Sequence, residues 1–131
     1  MYEWYLDNQS SDTLAIYFAL GLPTSYPDTL LPANRNETLF LGTSKQTIYM
    51  TGISYEKTIK GTAKDTLSIF IMNVDTLRKY TWDEVRQNYK ILQRYDFSLQ
   101  DLRLLNYTIP YPPTMEMKNM KMYPPYGSEG E

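Results

Sequence analysis

Apolar and polar positions follow two different rhythms along this chain, and the change falls near residue 74. Before it, short apolar runs are separated by turn clusters. Residues 2–8, YEWYLDN, alternate and end in NQSSD, the pattern of a half-buried strand followed by a turn. Residues 13–21, TLAIYFALG, are apolar and close at Gly21, so the two runs read as a β-hairpin. Residues 22–32 hold three prolines, which block regular ladders and predict a long surface connection. Residues 37–42 and 46–52 read as two further strands with Thr43, Ser44 and Lys45 turning between them. In residues 53–65, Ile53, Tyr55 and Ile59 fit neither the strand nor the helix period. Residues 66–74, TLSIFIMNV, are apolar at Leu67, Ile69, Ile71 and Val74, and also at Phe70 and Met72. Both faces therefore read as buried, which predicts a central strand.

Beyond that point the period lengthens. Asp75 reads as the cap of a helical turn over 75–80. Thr81 with Glu84 three residues on is a capping-box spacing, and Trp82, Val85 and Tyr89 then share a helical face. Residues 90–97 read as a strand. Ser98 and Asp101 form a second box, followed by Leu99, Leu102 and Leu105 on one side and Asn106 as the stop. Residues 107–113 are extended and interrupted by Pro110. The expected fold is mainly β, a small β-sandwich of Ig-like or related type with two or three short helices in the C-terminal half. The alternative is an α+β sheet with helices packed on one face. One domain is expected over 1–126, with 107–126 as an extended C-terminal strap and 127–131 as a disordered tail.

The strap needs an argument, because YPPTMEMKNMKMYPPY (111–126) is open to other readings. Met115, Met117, Met120 and Met122 are soft thioethers of the kind that suit Cu(I). Lys118 and Lys121 would oppose a cation there, and no histidine supports one, so no metal site is expected. Within residues 111–126 the prolines come as Pro112-Pro113 and Pro124-Pro125, with no PxxP, which disfavours a polyproline ligand. Proline lowers the entropy cost of laying a segment over the core. Tyr111, Met120, Met122, Tyr123 and Tyr126 could anchor such a strap.

Composition narrows the chemistry. The chain has 131 residues, no cysteine, no histidine and a net charge of −2. Thiol nucleophiles, disulfides, Ser-His-Asp triads and His- or Cys-bound zinc are excluded, and no cofactor is implied. Without a basic block, nucleic-acid binding is not expected. No 18-residue apolar run is present to form a transmembrane segment. No signal peptide is read at the start, which opens directly as a strand. Tyrosine is unusually frequent, with 13 Tyr against 4 Phe and 2 Trp. Tyr2, Trp4, Tyr26, Tyr49, Tyr55, Tyr80 and Trp82 are too many to be all core, so an exposed aromatic cluster is expected. Cross-strand aromatic pairing is the structural alternative. Trp82, Tyr111, Tyr123 and Tyr126 are the candidate ligand-binding residues.

The carboxylates mostly have structural readings. Glu84 and Asp101 belong to capping boxes, Asp83 suits a helix N-terminus, and Asp28, Asp65 and Asp75 sit at turns. Arg94 and Asp96 lie two apart on one strand face, where they form an ion pair ordering the strand–helix junction or present a guanidinium to a carboxylate ligand. Arg94, Asp96, Ser98, Thr81 and Glu84 are therefore taken as structural, and no catalytic residue is assigned. Sequons at Asn8, Asn36 and Asn106 match the glycosylation pattern but are short and common.

The YPDT turn (Tyr26–Thr29), Trp82 in its helix, the Arg94–Ser98 junction RYDFS and the YPP tail at Tyr111–Pro113 together resemble a family of small uncharacterised proteins of gut Bacteroidetes. The resemblance covers most of the chain. It implies a cell-envelope or secreted location, some members having a lipoprotein-type leader, and it implies no activity. The leading expectation is a non-catalytic interaction module binding a protein or glycan through aromatic surface. The alternative is an assembly subunit using an edge strand or the C-terminal segment. A carboxylate-dependent glycosidase, which needs two carboxyls across a cleft, is the distant third.

Overall fold

The computed structural model describes residues 1–19, 30–35, 38–42 and 44–127. Gly21, the Tyr26–Thr29 turn, Asn36, Glu37, Thr43 and the last four residues of the tail lie outside the described residues. Eight strands form two sheets. They are β1 (Tyr2–Asn8), β2 (Leu14–Ala19), β3 (Leu39–Leu41), β4 (Lys45–Thr51), β5 (Leu67–Asn73), β6 (Gln93–Phe97), β7 (Thr108–Tyr111) and β8 (Lys121–Tyr123). The smaller sheet has the order β4-β1-β7 and the larger β3-β2-β5-β6-β8. Every neighbouring pair is antiparallel except β1 and β7, which run parallel. Four short helices accompany them: α1 (Tyr55–Lys60), α2 (Val74–Lys79), α3 (Trp82–Gln87) and α4 (Leu99–Leu104). This is a mainly β, sandwich-like fold with short helices, as the sequence predicts.

Period-2 alternation assigns each side chain of the large sheet to one of two cores. Leu14 and Ile16 of β2, Leu67, Ile69 and Ile71 of β5, and Tyr95 and Phe97 of β6 meet Trp4, Leu6 and Ile109 of the small sheet. The opposite face carries Ala15, Tyr17, Phe70 and Met72, which pack on Val74 and Leu77 of α2 and Val85 of α3. The molecule is thus layered small sheet, large sheet, helices. β5 lies at the centre of the five strands with Leu67 through Met72 all buried.

Two sequence expectations need correction. β1 and β2 are not a hairpin, because they belong to different sheets and the link between them crosses from one to the other. β3 and β4 are likewise split, pairing with β2 and β1 respectively. The cause is visible at Asn8, which is 2% exposed. Its Nδ2 donates to the Asp12 carbonyl at 2.7 Å and to the Gly42 carbonyl at 2.9 Å. Its Oδ1 accepts from the backbone N–H and the hydroxyl of Ser10. One amide therefore closes both crossovers, and buried polar groups demand such satisfaction. The second correction concerns α2. Its N-cap is Asn73, whose Oδ1 accepts from the Asp75 N–H at 2.8 Å, so Asp75 lies in the first turn instead of capping it. The helix begins as soon as β5 ends, because Val74 turns into the second core.

The remaining helix ends follow their sequence signals. Both capping boxes form, Thr81 with Glu84 and Ser98 with Asp101. The boxes hold Glu84 below the ordinary carboxylate range, through the Thr81 backbone N–H first and its hydroxyl second. α1 occupies the segment that fits neither period, started by Ser54, whose hydroxyl accepts from the Lys57 N–H.

The C-terminal segment is part of the fold. Met117 is fully buried, Met120 and Met122 nearly so, and all three join the inter-sheet core. β8 pairs with β6, Met122 opposite Tyr95. Gln93 Nε2 holds the Pro124 carbonyl at 2.9 Å. The thioethers are dispersed as packing groups, with Met115 alone left 74% exposed.

Asn8→Ala removes the donor to the Gly42 carbonyl and leaves the Asp12 carbonyl only the long bond from the Ser10 hydroxyl, and should cost about 1–3 kcal/mol of unfolding free energy. Asn8→Asp should cost more, since a carboxylate would face two carbonyl oxygens. Urea titration with unchanged slope reads both; a loss below about 0.5 kcal/mol would mean the crossovers hold themselves. Met117→Ala should cost about 2–5 kcal/mol by cavity formation, and the amides of Lys121–Tyr123 should exchange hydrogen near the global rate. Fast exchange there would show that β8 opens independently of the sandwich.

Candidate interaction surface

Two places on the molecule gather chemistry. The first is the outer face of the large sheet. Arg94 and Asp96 project there from β6, 3% and 7% exposed, and form the ion pair considered above. Asp96 Oδ1 accepts from Arg94 Nε at 3.0 Å and from the Ser68 hydroxyl of β5 at 2.7 Å. Arg94 Nη1 donates to the Tyr89 hydroxyl at 3.3 Å, and its guanidinium lies 4.7 Å from the Phe70 ring centre. Its planar fork is thus engaged on three sides. Presentation to an external carboxylate would require breaking that network, which a buried pair resists.

Tyr89 reaches this cluster by an unusual route. The expectation placed it on the α3 face, but α3 ends at Gln87 and Tyr89 follows at φ +50°. The Lys90 N–H bonds back to the Val85 carbonyl and the Tyr89 N–H to the Arg86 carbonyl. That is a Schellman ending with an aromatic residue where glycine is usual. A bulky residue in left-handed backbone is strained. The ring edge against Phe70 and the hydrogen bond from Arg94 offset the strain. Burial pushes the Tyr89 phenol above its ordinary value, with the Arg94 hydrogen bond opposing.

The second place is an aromatic end of the sandwich. The Tyr55 and Tyr107 rings stack at 3.5 Å and 6°. Trp4 meets both edge-on, at 5.1 and 5.6 Å, and Tyr2 meets Tyr55 at 5.1 Å. Three elements far apart in sequence build it. β1 supplies Tyr2 and Trp4. α1 supplies Tyr55, whose hydroxyl donates to the Glu3 carbonyl at 2.8 Å. Tyr107 follows α4, where Asn106 and Tyr107 at φ +53° and +56° turn the chain into β7. The Tyr107 N–H bonds to the Leu102 carbonyl and the Asn106 N–H to that of Arg103, a second Schellman ending that confirms Asn106 as the stop. Arg103 bridges to Glu56 of α1 at 3.1 Å. Glu56 sits below the ordinary carboxylate range, held there by its own backbone N–H and then by Arg103. Trp4 is fully buried, and among the described residues its Nε1 has no oxygen or nitrogen acceptor; aromatic rings surround it instead.

Exposed apolar side chains lie on the segments that border this end. Tyr2 lies opposite Thr51, next to Met50, and Ile53 donates its N–H to the Thr51 hydroxyl. Met50, Ile53 and Leu104 are 53%, 55% and 61% exposed, and Tyr2 37%. Leu104 adjoins Arg103 of the bridge to α1.

The four candidate ligand-binding aromatics do not form one site. Trp82 packs on the second core and donates Nε1 to the Pro32 carbonyl at 2.9 Å. Tyr111 and Tyr126 pack against the first core, on the opposite face of the large sheet. Tyr123 is 56% exposed and lies over Tyr89 at 6.0 Å. Thr81, Glu84 and Ser98 cap helices, and Asn8 is buried, which removes its sequon from glycosylation. Sequence reasoning missed Ser68, Asn8 and the convergence of Tyr2, Trp4, Tyr55 and Tyr107. The excess of tyrosine was the sole signal for the last. Among the described residues no helix is long and apolar enough to cross a membrane, and no group of three or more acidic side chains is placed to hold a metal ion. No protein-family model matches the chain, and neither a curated protein nor a solved structure matches it.

Asp96→Ala should strand the buried Arg94 guanidinium and cost about 3–5 kcal/mol. Arg94→Met with Asp96→Leu should cost far less than the single change. Thermal and urea unfolding of the two variants decide it. A single variant no worse than the double would mean that Tyr89 and Phe70 carry the arginine alone.

Proposed function

We propose that this protein is a non-catalytic interaction module that binds a protein partner through the apolar end formed by Tyr2, Met50, Ile53 and Leu104. The observation that carries the reading is that all four remain one-third to two-thirds exposed on segments bordering the aromatic stack, Met50 on the outward face of β4 and Tyr2 on the face of the stack. Exposed apolar surface marks partner binding where such side chains lie together. A protein partner is favoured over a glycan for a geometric reason. Sugar recognition uses a free ring face, and here Tyr55 and Tyr107 cover one another while Trp4 closes against both. What remains outward is largely aliphatic, which suits the core of a protein interface. The absence of histidine and cysteine supports a non-catalytic role. So does the use of Glu84, Asp96 and Asp101 in caps and an ion pair. The resemblance to gut Bacteroidetes proteins favours a place at the cell envelope or outside the cell.

The test compares the native chain with Met50→Asp, Ile53→Asp and their combination as baits against an envelope extract, after circular dichroism has established that each is folded. Each aspartate should weaken retention of the same partner about tenfold or more, as at a hot spot. Retention unchanged in the combined variant would refute this surface.

A further inference from the structure

We infer that β4 is a dimerisation edge, along which two copies of this chain pair antiparallel to merge their small sheets into one of six strands. Among the described residues the two sheets end in four edge strands, β4, β7, β3 and β8. An edge strand offers unpaired backbone groups, and proteins guard such edges with short length, proline, charge or a β-bulge. β3 has three residues. β8 has three, includes Lys121 and runs into Pro124 and Pro125. β7 has Pro110 within it and Pro112-Pro113 after it. β4 differs from all three. It has seven residues, KQTIYMT, with no proline and a single charge at its first position. Among the described residues only β1 pairs with it.

Charge selects the partner and its direction. Parallel pairing of two β4 strands would set Lys45 beside Lys45. Antiparallel pairing separates them and leaves each Lys45 opposite Asp7 and over the Tyr5 ring of its own chain. Reversed pairing of two copies thus avoids the like-charge contact. Its one irregularity is the bulge at Ile48, the residue skipped between the Trp4–Tyr49 and Tyr5–Thr47 pairs. Thr47 and Met50 lie opposite Tyr5 and Glu3, on the outward face, and both are exposed. The register that keeps outward residues together sets Thr47 of one copy against Met50 of the other. The two ladder stretches flanking the bulge then pair reciprocally.

Met50 belongs also to the proposed partner surface, but the inference rests on the edge and stands or falls without that reading. Light scattering of the full chain over a concentration series should show twice the 15.4 kDa of one chain at the upper end. Thr47→Lys with Met50→Lys places four lysines on adjoining strands, and dimerisation should weaken roughly a hundredfold. Both positions are solvent-facing, so the far-UV dichroism and melting temperature should hold; Thr47→Lys alone serves if the double variant does not fold. Tyr123→Lys on the β8 edge and Ile53→Asp should keep the dimer. A native chain that stays monomeric, a lysine variant that stays dimeric, or loss of the dimer in Tyr123→Lys would each overturn the assignment.

Discussion

A single buried amide sets the architecture. Asn8 ends β1 and touches two links that pass from one sheet to the other, accepting from Ser10 and donating to Asp12 and Gly42. Links that cross between sheets leave backbone carbonyls outside any ladder. The Asn8 amide that meets them is itself buried, and a buried polar group is costly unless it is paired. An asparagine has two donor hydrogens and one acceptor oxygen on a short stem, which is what two converging arches require. With the arches fixed, β1 and β4 lie over β2 and β3, and the inter-sheet core can close. The Tyr95 hydroxyl fastens the far side of that core to the Pro110 carbonyl at 2.9 Å.

The large sheet then has a second face to cover. α2 and α3 lie on it, and α3 also fixes the returning chain through Trp82 to the Pro32 carbonyl and Arg86 to that of Leu31. Towards β6 and β8 the cover changes from aliphatic to polar, with Arg94, Asp96, Ser68 and Tyr89 in place of hydrocarbon. A buried ion pair gives little net stability over well-packed apolar residues. Its geometric demands are strict, however, and here they tie β5, β6 and the turn after α3 into one register. Tyr89 shows the strength of the demand, since the ring is retained where the backbone favours glycine.

Local signals in the sequence were legible because they depend on near neighbours. The capping boxes at Thr81 and Ser98, the stop at Asn106 and the doubly buried β5 are all decided within a few residues. The hairpin expected from β1 and β2 failed because adjacency in sequence does not fix the sheet. The sequence did hold a warning: β1 alternates, as a one-sided strand does, whereas β2 is apolar at successive positions. Two strands of one hairpin would share the same exposure. Asn73 displaced Asp75 because burial of Val74 moved the helix start by two residues. The aromatic end was illegible for a different reason. Tyr55 and Tyr107 are 52 residues apart in sequence and meet Trp4 only after α1 and α4 have docked. Nothing local predicts that meeting, and tyrosine count alone does not say which rings converge.

The parallel pairing of β1 with β7 has a consequence for synthesis. β1 is held on one side by residues 108–111, and the large sheet gains β8 only at residue 121. Until both arrive, the nascent chain has neither a finished small sheet nor a covered β6. No amino-terminal fragment can therefore be native, and the pairings that close the fold are among the most distant in the chain. Such topology makes folding slow, because loop entropy is spent before the contacts are gained.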